Sequence, residues 1–260
     1  MVIEAKDLRK TYYIRRHLFG RGVDVVRAVD GVSFGIPASK TLGLVGESGS
    51  GKTTVGKILL GVVMPDSGDV SVNANSIYRN GRVDRSILSR CNCIFQDPFA
   101  SLDPKMSVEE IIAEGMIIRG KGAAERARRV REVLDLVRLP ERARSRYPHE
   151  FSGGQRQRIA IARAIATDPG FIVCDEPVSS LDVSIQAQIL NLLKDIQAML
   201  GLAYLFISHD LSVVEYMADE VAVMYQGRIV ESGPTAALYA SPRHPYTQRL
   251  IDSILEPVPG

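Results

Sequence analysis

The sequence predicts an α/β fold in which helices cover both faces of a mainly parallel β-sheet. Short apolar runs rich in β-branched residues alternate with segments whose apolar residues recur at helical spacing. One junction between such a run and such a segment is rich in glycine, and a long helical stretch from about residue 99 to residue 150 interrupts the alternation. An α/β core with an inserted helical part follows from these three observations.

Composition sets the limits on function. The chain has 260 residues, of which 45% are hydrophobic and 24% charged, and its net charge is +2. That length fits one large domain or two small lobes, and so small a charge gives no argument for nucleic acid. No apolar run approaches the roughly 18 residues that cross a bilayer, and the N-terminus lacks a secretory apolar segment. We therefore expect a cytosolic protein.

The cysteines are Cys91, Cys93 and Cys174, which are too few and too unevenly placed for a disulfide framework. A reducing compartment fits this pattern. The first two are expected to be small buried residues of a strand rather than metal ligands, because no companion ligands lie near them in the sequence.

The first part of the chain reads as β-structure. Val32, Phe34 and Ile36 alternate with small residues, and residues 37–40 form a turn before the buried strand predicted for residues 41–45. The basic, glycine-interrupted stretch from 14 to 22 is predicted to be a solvated hairpin or loop.

A phosphate-binding loop follows that strand. Residues 46–53 match the pattern G-x-x-x-x-G-K-[ST], and the helical spacing from residue 54 to residue 60 supplies the strand–loop–helix context that the pattern requires. Glycines let backbone N–H groups turn inward around phosphate oxygens, and the helix N-terminus adds positive potential. Lys52 is predicted to reach the β and γ phosphates and Thr53 to hold Mg²⁺. The predicted ATP-binding residues here are Gly46, Ser48, Gly49, Ser50, Gly51, Lys52, Thr53 and Thr54.

The inserted part reads as helices. A capping box at Ser107 and Glu110 precedes one apolar helical segment, and Val130, Val133 and Val137 mark another. Alternation then returns with a helix from 159 to 166, a buried strand from 171 to 174, a helix ending at Gly201, a strand from 203 to 207, and a hairpin turning at residues 226 and 227.

Polar side chains follow three of these strands. Asp175 and Glu176 come at the end of one strand, Gln96 after another and His209 after a third. Ligands of such sheets bind at the carboxyl ends of the strands, so these side chains are expected beside the phosphate loop. Asp175 is predicted to anchor Mg²⁺ through water. Glu176, expected to point to the other side by strand alternation, would orient the attacking water or accept its proton.

The other two side chains have weaker individual signals. Gln96 is predicted to touch Mg²⁺ or the water and to act as a sensor, because a neutral amide at this junction moves with the insert. His209 is predicted to stabilise transferred charge at the γ-phosphate.

A second potential anion site begins at residue 152. Ser152 and Gln155 form another capping box, and Gly153 and Gly154 leave the start of the predicted helix accessible to an anion. The first loop already serves the chain's own nucleotide. The simplest interpretation is that this element acts on the ATP of another subunit.

The order of these motifs resembles the nucleotide-binding subunit of an ABC transporter, across roughly residues 2–233. The resemblance implies a phosphate-loop NTPase (RecA-like) core with an N-terminal antiparallel β part and an inserted α-helical subdomain. It also implies a head-to-tail dimer that holds two ATP molecules at its interface. By motif position, Tyr12 resembles the aromatic residue that stacks on adenine, with Tyr13 a close competitor, and Asp182 the residue that couples the two sites. Phe151 replaces the usual Leu of the signature.

Residues 95–104 and 241–247 further resemble the oligopeptide, dipeptide and nickel importer branch. The resemblance implies a core of residues 1–96 and 151–235, a helical subdomain of 97–150 that contacts the membrane partner, and a C-terminal tail of 236–260. Implied partners are two transmembrane permease subunits, a homologous second ATPase subunit or a second copy of this chain, and indirectly an extracytoplasmic solute-binding protein. The chain is expected at the cytoplasmic face of the cell membrane. ATP and Mg²⁺ are the expected cofactors, and neither nucleic acid nor an iron–sulfur cluster is expected to bind.

Other functions remain as alternatives. An importer for nickel or another small solute shares the same motifs. A non-transport ABC ATPase acting on nucleic acid or ribosomes is disfavoured, since each motif occurs once and no very long coiled coil interrupts the core. A regulatory subunit without hydrolysis conflicts with the presence of Glu176 and His209, and a phosphate-loop kinase has no need of residues 152–155.

Overall fold

The structure, a computed structural model, describes residues 1–15, 23–79, 81–97 and 101–255. It divides into two compact units, Met1–Leu88 with Ala203–Gly260, and Ser89–Leu202. The strands are β1 (Ile3–Arg15), β2 (Val23–Ile36), β3 (Thr41–Val45), β4 (Ser67–Val72), β5 (Asn75–Ser76), β6 (Tyr78–Arg79), β7 (Arg82–Val83), β8 (Cys91–Ile94), β9 (Phe171–Asp175), β10 (Ala203–Ile207), β11 (Glu220–Tyr225) and β12 (Arg228–Pro234). The α-helices are α1 (Lys52–Leu59), α2 (Arg85–Leu88), α3 (Val108–Ile118), α4 (Ala123–Leu136), α5 (Gly153–Ile165), α6 (Val183–Leu200), α7 (Leu211–Met217), α8 (Thr235–Ala240) and α9 (Pro245–Leu255).

An antiparallel sheet occupies the start of the first unit. β1 pairs with β2 on one side and with β4 on the other, so that Ile3 lies opposite both Ile36 and Val72. The buried side chains of β1 alternate with exposed ones, as expected of a strand with one face toward the core. This sheet is the N-terminal antiparallel part that the sequence predicts.

The same unit contains parallel pairing around β3. β10 and β11 both pair with β3 in parallel, and β12 adds an antiparallel edge to β11. All five residues of β3 are buried, because neighbouring elements cover both of its faces. The predicted hairpin between β11 and β12 is confirmed: Gln226 (φ 47°) and Gly227 (φ 83°) form its turn with the positive φ values of type I′ geometry.

Helix α7 covers one face of β3 at close range. A Cβ on Gly43 would overlap the side chain of Val214, so only glycine permits this approach. Asp210 caps the start of α7 by accepting hydrogen bonds from the N–H groups of Ser212 (2.9 Å) and Val213 (3.3 Å). The predicted helix start after residue 209 is confirmed.

The second unit combines the parallel pair β8–β9 with helices α3 to α6. The capping box that starts α3 is confirmed, because the Ser107 N–H donates to the Glu110 carboxylate (2.7 Å) and the Glu110 N–H donates to the Ser107 hydroxyl (3.3 Å). Short 3₁₀ helices, Glu141–Ser145 and Pro148–Glu150, lead into α5. The helical insert predicted after residue 99 therefore lies within this unit.

Several boundaries differ from those expected. β2 begins at residue 23 rather than near 32, because it pairs along its length with β1. Helix α5 begins at Gly153, as the capping box at Ser152 predicts, so the helical spacing seen from residue 159 marks only its later part. Most of the stretch predicted as a loop, residues 14–22, lies outside the described residues. The functional division into 1–96 with 151–235, 97–150 and 236–260 stays a prediction, since compactness groups Ser89–Leu202 together.

Candidate functional site

The phosphate loop joins β3 to α1 and depends on three glycines with positive φ: Gly46 (147°), Gly49 (81°) and Gly51 (109°). A Cβ on Gly46 would overlap the carbonyl oxygen of Met224, and one on Gly51 that of Ala28. Gly49, by contrast, has open space where a Cβ would stand. The outer glycines therefore let the loop lie against neighbouring backbone, whereas the central glycine leaves a face open.

Lys52 is the buried cation of this loop. Its side chain is only 6% exposed. The ammonium donates to the carbonyl oxygens of Gly46 (2.7 Å) and Glu47 (2.9 Å) and lies 3.4 Å from the Ser50 hydroxyl. The loop thus curls around its own lysine, which places a positive charge at the centre of a ring of backbone groups. The charge of the ammonium, and not the carbonyl oxygens that hold it, favours a phosphate group.

The start of α1 is open to an anion. Gly51 is the N-cap residue, and within the described part of the chain no side chain caps this end. Thr53, which is exposed, and Thr54, which is half-buried, lie in the first turn, while Ser48 is exposed within the loop. The N–H groups of a helix start attract anions when no side chain satisfies them.

The hairpin turn between β11 and β12 supports the loop. The Gly227 N–H donates to the Ser50 carbonyl (3.1 Å), and the Asp30 N–H donates to the Gly227 carbonyl (2.8 Å). A cleft of about 520 Å³ lies beside this turn, and its lining residues are Val25, Val26, Arg27, Gly49, Gln226 and Gly227. The open face of the loop at Gly49 therefore borders this cleft.

Tyr12 and Tyr13 lie on β1, opposite Val26 and Val25 of that cleft lining. Tyr12 is 36% exposed and Tyr13 73%. The Lys10 ammonium lies 5.9 Å from the centroid of the Tyr12 ring, a cation–π contact. Strand alternation turns the two rings to opposite faces. The choice between them as the adenine-stacking residue stays open.

His209 follows β10, and strand register brings it to the loop. Ile207 pairs with Leu44 of β3, so two residues further along each strand are His209 and Gly46. The Ser208 N–H also donates to the Leu44 carbonyl (3.4 Å). Parallel strands end at the same edge, so the exposed His209 leaves the sheet beside the start of the phosphate loop.

Strand register likewise brings Gln96 and Glu176 together in the second unit. Ile94 of β8 pairs with Cys174 of β9, and the two polar residues lie two positions further along. The Gln96 amide donates to the Glu176 carboxylate at 3.0 Å. Asp175, the last residue of β9, is half-buried.

Strand alternation does not extend to Glu176, so the direction expected for its side chain stays a prediction. β9 ends at Asp175, and Glu176 has a left-handed backbone (φ 50°) whose carbonyl accepts from the Ser179 hydroxyl at 3.1 Å. Strand alternation therefore does not set the direction of this side chain. The turn after the strand sets it instead, and a non-glycine residue at positive φ carries strain that is frequent at functional sites.

The predicted capping box at the start of α5 is confirmed. The Ser152 N–H donates to the Gln155 side chain (3.0 Å), and the Gln155 N–H donates to the Ser152 hydroxyl (3.4 Å). Ser152 and Gln155 are both exposed. A Cβ on Gly154 would lie 2.6 Å from a methyl group of Ile185, whereas one on Gly153 would lie 3.4 Å from Leu181. Gly154 thus permits close packing on α6.

Phe151 and Asp182 flank this element. Phe151 is 5% exposed, and the Arg146 guanidinium lies 4.7 Å from its ring centroid, so the residue that departs from the usual signature is a buried apolar support. Asp182 is the exposed N-cap residue of α6, where its carbonyl accepts from the Gln186 N–H at 2.8 Å.

The cysteines are structural rather than reactive. Burial raises the pKa of Cys93 to about 11 and that of Cys91 to about 12, and burial also raises the pKa of Cys174. All three are free thiols. Among residues 1–15, 23–79, 81–97 and 101–255, no group of His, Cys, Asp and Glu side chains has the arrangement of a metal site.

Comparisons with known proteins agree with this geometry. Residues 29–179 match the family described as ABC transporter, and residues 230–260 match the oligopeptide/dipeptide transporter C-terminal region. A Brucella ovis protein named for peptide import and ATP binding is 52% identical over 236 residues, which are 90% of this chain and 74% of that protein. The oligopeptide transport ATP-binding protein OppF of Bacillus subtilis is 48% identical over 264 residues, 99% of this chain and 84% of that protein.

Solved structures give the same assignment. CbiO1 of Clostridium perfringens, part of the ABC transporter complex cbiONQ, superposes with a TM-score of 0.78 at 25% identity and covers 92% of this chain and 91% of its own. The ATP-binding cassette MJ0796, in a dimeric post-hydrolysis state with ADP and Pi, has a TM-score of 0.75 at 26% identity and covers 90% and 98%. The chain therefore belongs to the ABC transporter family, as one of its ATP-binding cassettes.

Proposed function

We propose that this chain is the ATP-binding and ATP-hydrolysing subunit that energises an importer of oligopeptides or dipeptides. Its membership of the ABC transporter family supports the ATPase part of the proposal. The match of residues 230–260 to the C-terminal region of oligopeptide and dipeptide transporters supports the solute, as do the names of two relatives at about half identity.

The hydrogen bond between Gln96 and Glu176 is the observation that carries the hydrolytic role. The register of β8 and β9 brings a carboxylate and a neutral amide together at the carboxyl ends of parallel strands. A carboxylate in such a place orients the attacking water and accepts its proton. The amide partner holds the carboxylate, so a movement of Gln96 would alter the position of the base.

Phosphate binding is assigned to residues of the first unit. Lys52 and the N–H groups of the loop are assigned to the β and γ phosphates, and His209 to the charge that develops at the γ-phosphate. Thr53, Asp175 and Gln96 offer hydroxyl, carboxylate and amide oxygens, which suit Mg²⁺. That ion would neutralise charge on the phosphate oxygens when bound.

The signature residues are assigned to the ATP of a second cassette. Ser152, Gly153, Gly154 and Gln155 form a helix start at which Ser152 and Gln155 are exposed, and the helix dipole there favours an anion. The solved relative MJ0796 is dimeric, which supports an arrangement of this kind. In such a dimer of two cassettes, Tyr12 would stack on adenine, with Tyr13 as the alternative, and Asp182 would couple the two nucleotide sites.

The partners proposed are two transmembrane permease subunits and, indirectly, an extracytoplasmic solute-binding protein. In the described residues, no helix combines the length and apolar character that crossing a membrane requires. The solved relative cbiO1 is part of a transporter complex, which supports assembly with membrane subunits. Residues 97–150 are assigned to that contact, as the family resemblance implies. The proposed place is the cytoplasmic face of the cell membrane.

Replacement of the carboxylate tests the catalytic assignment. In the assembled transporter, Glu176→Gln is expected to reduce ATP turnover by roughly a hundredfold while leaving ATP binding intact, since the amide cannot accept a proton. Glu4→Gln is the matched control, because Glu4 forms an ion pair with Lys6 (3.1 Å) on β1 and lies outside residues 97–150. Unchanged turnover in Glu176→Gln would show that another group is the base.

Two further measurements test the transport assignment. Cells that contain the intact transporter are expected to take up a labelled oligopeptide in a manner that depends on Glu176, and uptake of nickel in its place would contradict peptide import. Native mass spectrometry of the purified complex is expected to contain one copy of this chain with one homologous ATPase. Two copies of this chain would refute that pairing.

A further inference from the structure

The segment from Ser241 to Thr247, which the sequence sets apart as a feature of the importer branch, has no part in the functions assigned above. It leads into α9 (Pro245–Leu255) and lies in the region matched to oligopeptide and dipeptide transporters. Its residues Tyr246 and Thr247 are 3% and 0% exposed. A tail that serves only as a connection would not need to be buried so completely.

A single carboxylate fixes this segment to the edge strand β12. Glu231 accepts hydrogen bonds from the N–H groups of Arg243 (2.8 Å) and His244 (3.0 Å). The Tyr246 N–H in turn donates to Nδ1 of His244 (3.1 Å). Burial by itself would raise the pKa of Glu231, yet the hydrogen bonds donated to it hold that pKa below its ordinary value.

The Tyr246 side chain connects this anchored segment to the phosphate loop. Its hydroxyl accepts a hydrogen bond from the Glu47 N–H at 2.9 Å. Its ring packs on Tyr225 at the end of β11, with the centroids 4.2 Å apart and the planes inclined by 34°. The hydroxyl therefore has a defined position, because both the ring and the backbone behind it are held.

The partner of this hydroxyl belongs to the peptide unit that also holds Lys52. The Glu47 N–H and the Gly46 carbonyl are the two polar groups of one peptide plane, and they point in opposite directions from it. Lys52 donates to the carbonyl at 2.7 Å, and Tyr246 accepts from the N–H. A rotation of this plane would break both hydrogen bonds together. The tyrosine and the lysine hence fix the plane from its two sides.

We propose that Tyr246 is a positioning residue of the nucleotide site, which acts through the Gly46–Glu47 peptide to hold the phosphate loop and Lys52 in the form that binds phosphate. The inference rests on the proposed function, since it gives the C-terminal region a part in nucleotide binding. It assigns no contact between Tyr246 and the nucleotide.

The test compares Tyr246→Phe with Tyr239→Phe in the full chain. Tyr239 is a matched control: it lies in the same C-terminal region and donates its hydroxyl to a backbone carbonyl, that of Leu211 (2.7 Å), but this hydrogen bond lies at the start of α7 and not at the phosphate loop. Each variant removes one hydroxyl and keeps the ring. Binding is measured by calorimetric titration with ADP and Mg²⁺, which occupies the loop without turnover, and stability by thermal unfolding.

Tyr246→Phe is expected to raise the Kd for ADP roughly three- to tenfold, the effect of one lost hydrogen bond. Tyr239→Phe, which also loses one hydrogen bond, is expected to lower the melting temperature and to leave the Kd for ADP unchanged. Glu231→Gln, which loosens the segment without contacting the loop, is expected to raise the Kd roughly two- to threefold. An unchanged Kd in Tyr246→Phe, or an equal rise in Tyr239→Phe, would overturn the inference. Failure of the unmodified chain to bind ADP would instead refute the proposed function.

Discussion

Two helix starts in this protein are proposed to bind phosphate groups, and their local structures are opposite. At α1, the N-cap is Gly51, and across the described residues no side chain caps the helix. At α5, the N-cap is Ser152, which forms a complete capping box with Gln155. The first start is built around a buried lysine, whereas the second is exposed and satisfied by its own side chains.

The difference indicates how each helix start would bind an anion. Among the described residues no side chain caps the start of α1, and Lys52 supplies a charge that is already buried. At α5, the Ser152 hydroxyl accepts from the Gln155 N–H, so an incoming phosphate has to compete with that bond. We therefore expect strong nucleotide binding at the first end within one chain, and a contribution from the second only when a partner presents its ATP.

Removal of the buried charge should have the largest effect on this comparison. Lys52→Ala is expected to weaken ATP binding by about a hundredfold, because charged hydrogen bonds to phosphate are lost and the carbonyls of Gly46 and Glu47 lose their donor. Lys57→Ala, at an exposed position of the same helix, is the control. Calorimetric titration measures both. If Lys52→Ala bound ATP as tightly as Lys57→Ala, the loop would not be the primary site.

Loss of the N-cap of α5 should have an intermediate effect on ATP turnover, which can be measured only in the assembled transporter. Ser152→Ala and Ser107→Ala both remove an N-cap with a capping box, so each is expected to cost about 1 kcal/mol of unfolding free energy. Only Ser152→Ala is expected to reduce ATP turnover, by roughly tenfold or more.

Urea unfolding of the purified chain and ATPase assays of the complex separate the two contributions. Equal turnover in the two serine variants would remove Ser152 from the site. Full turnover with both Ser152 and Gly154 replaced in every copy would exclude a shared nucleotide altogether.

The glycines of α5 should produce the smallest effects, and these differ in sign. Gly153→Ala has room for its methyl group and is expected to stabilise the chain by roughly 0.5 kcal/mol through helix propensity. In Gly154→Ala the added methyl group would press on Ile185, and the substitution is expected to destabilise the chain by about 1 kcal/mol. Urea unfolding measures both. Similar stability in the two variants would mean that the Ile185 side chain moves aside and that close packing does not explain Gly154.

Much of the fold follows from local patterns in the sequence. β3 and β10 have the boundaries that their apolar runs predict, and the capping boxes at Ser107 and Ser152 mark helix starts because each needs only residues three positions apart. The long extent of β2 was missed, since its first half has no burial alternation of its own and depends on pairing with β1. The left-handed backbone of Glu176 was missed for a related reason: the end of β9 is set by a turn, not by its own composition.

The sequence by itself determined the identity of the chemistry: a phosphate loop with Lys52, carboxylates at the end of an apolar strand, and a glycine-rich helix start. Only the tertiary structure decided which of these groups touch. The contact of Gln96 with Glu176 depends on the register of β8 and β9, and the contact of Tyr246 with Glu47 depends on the packing of the C-terminal segment. Residues so far apart in the chain meet through the register and packing of whole elements, and local spacing contains no record of either.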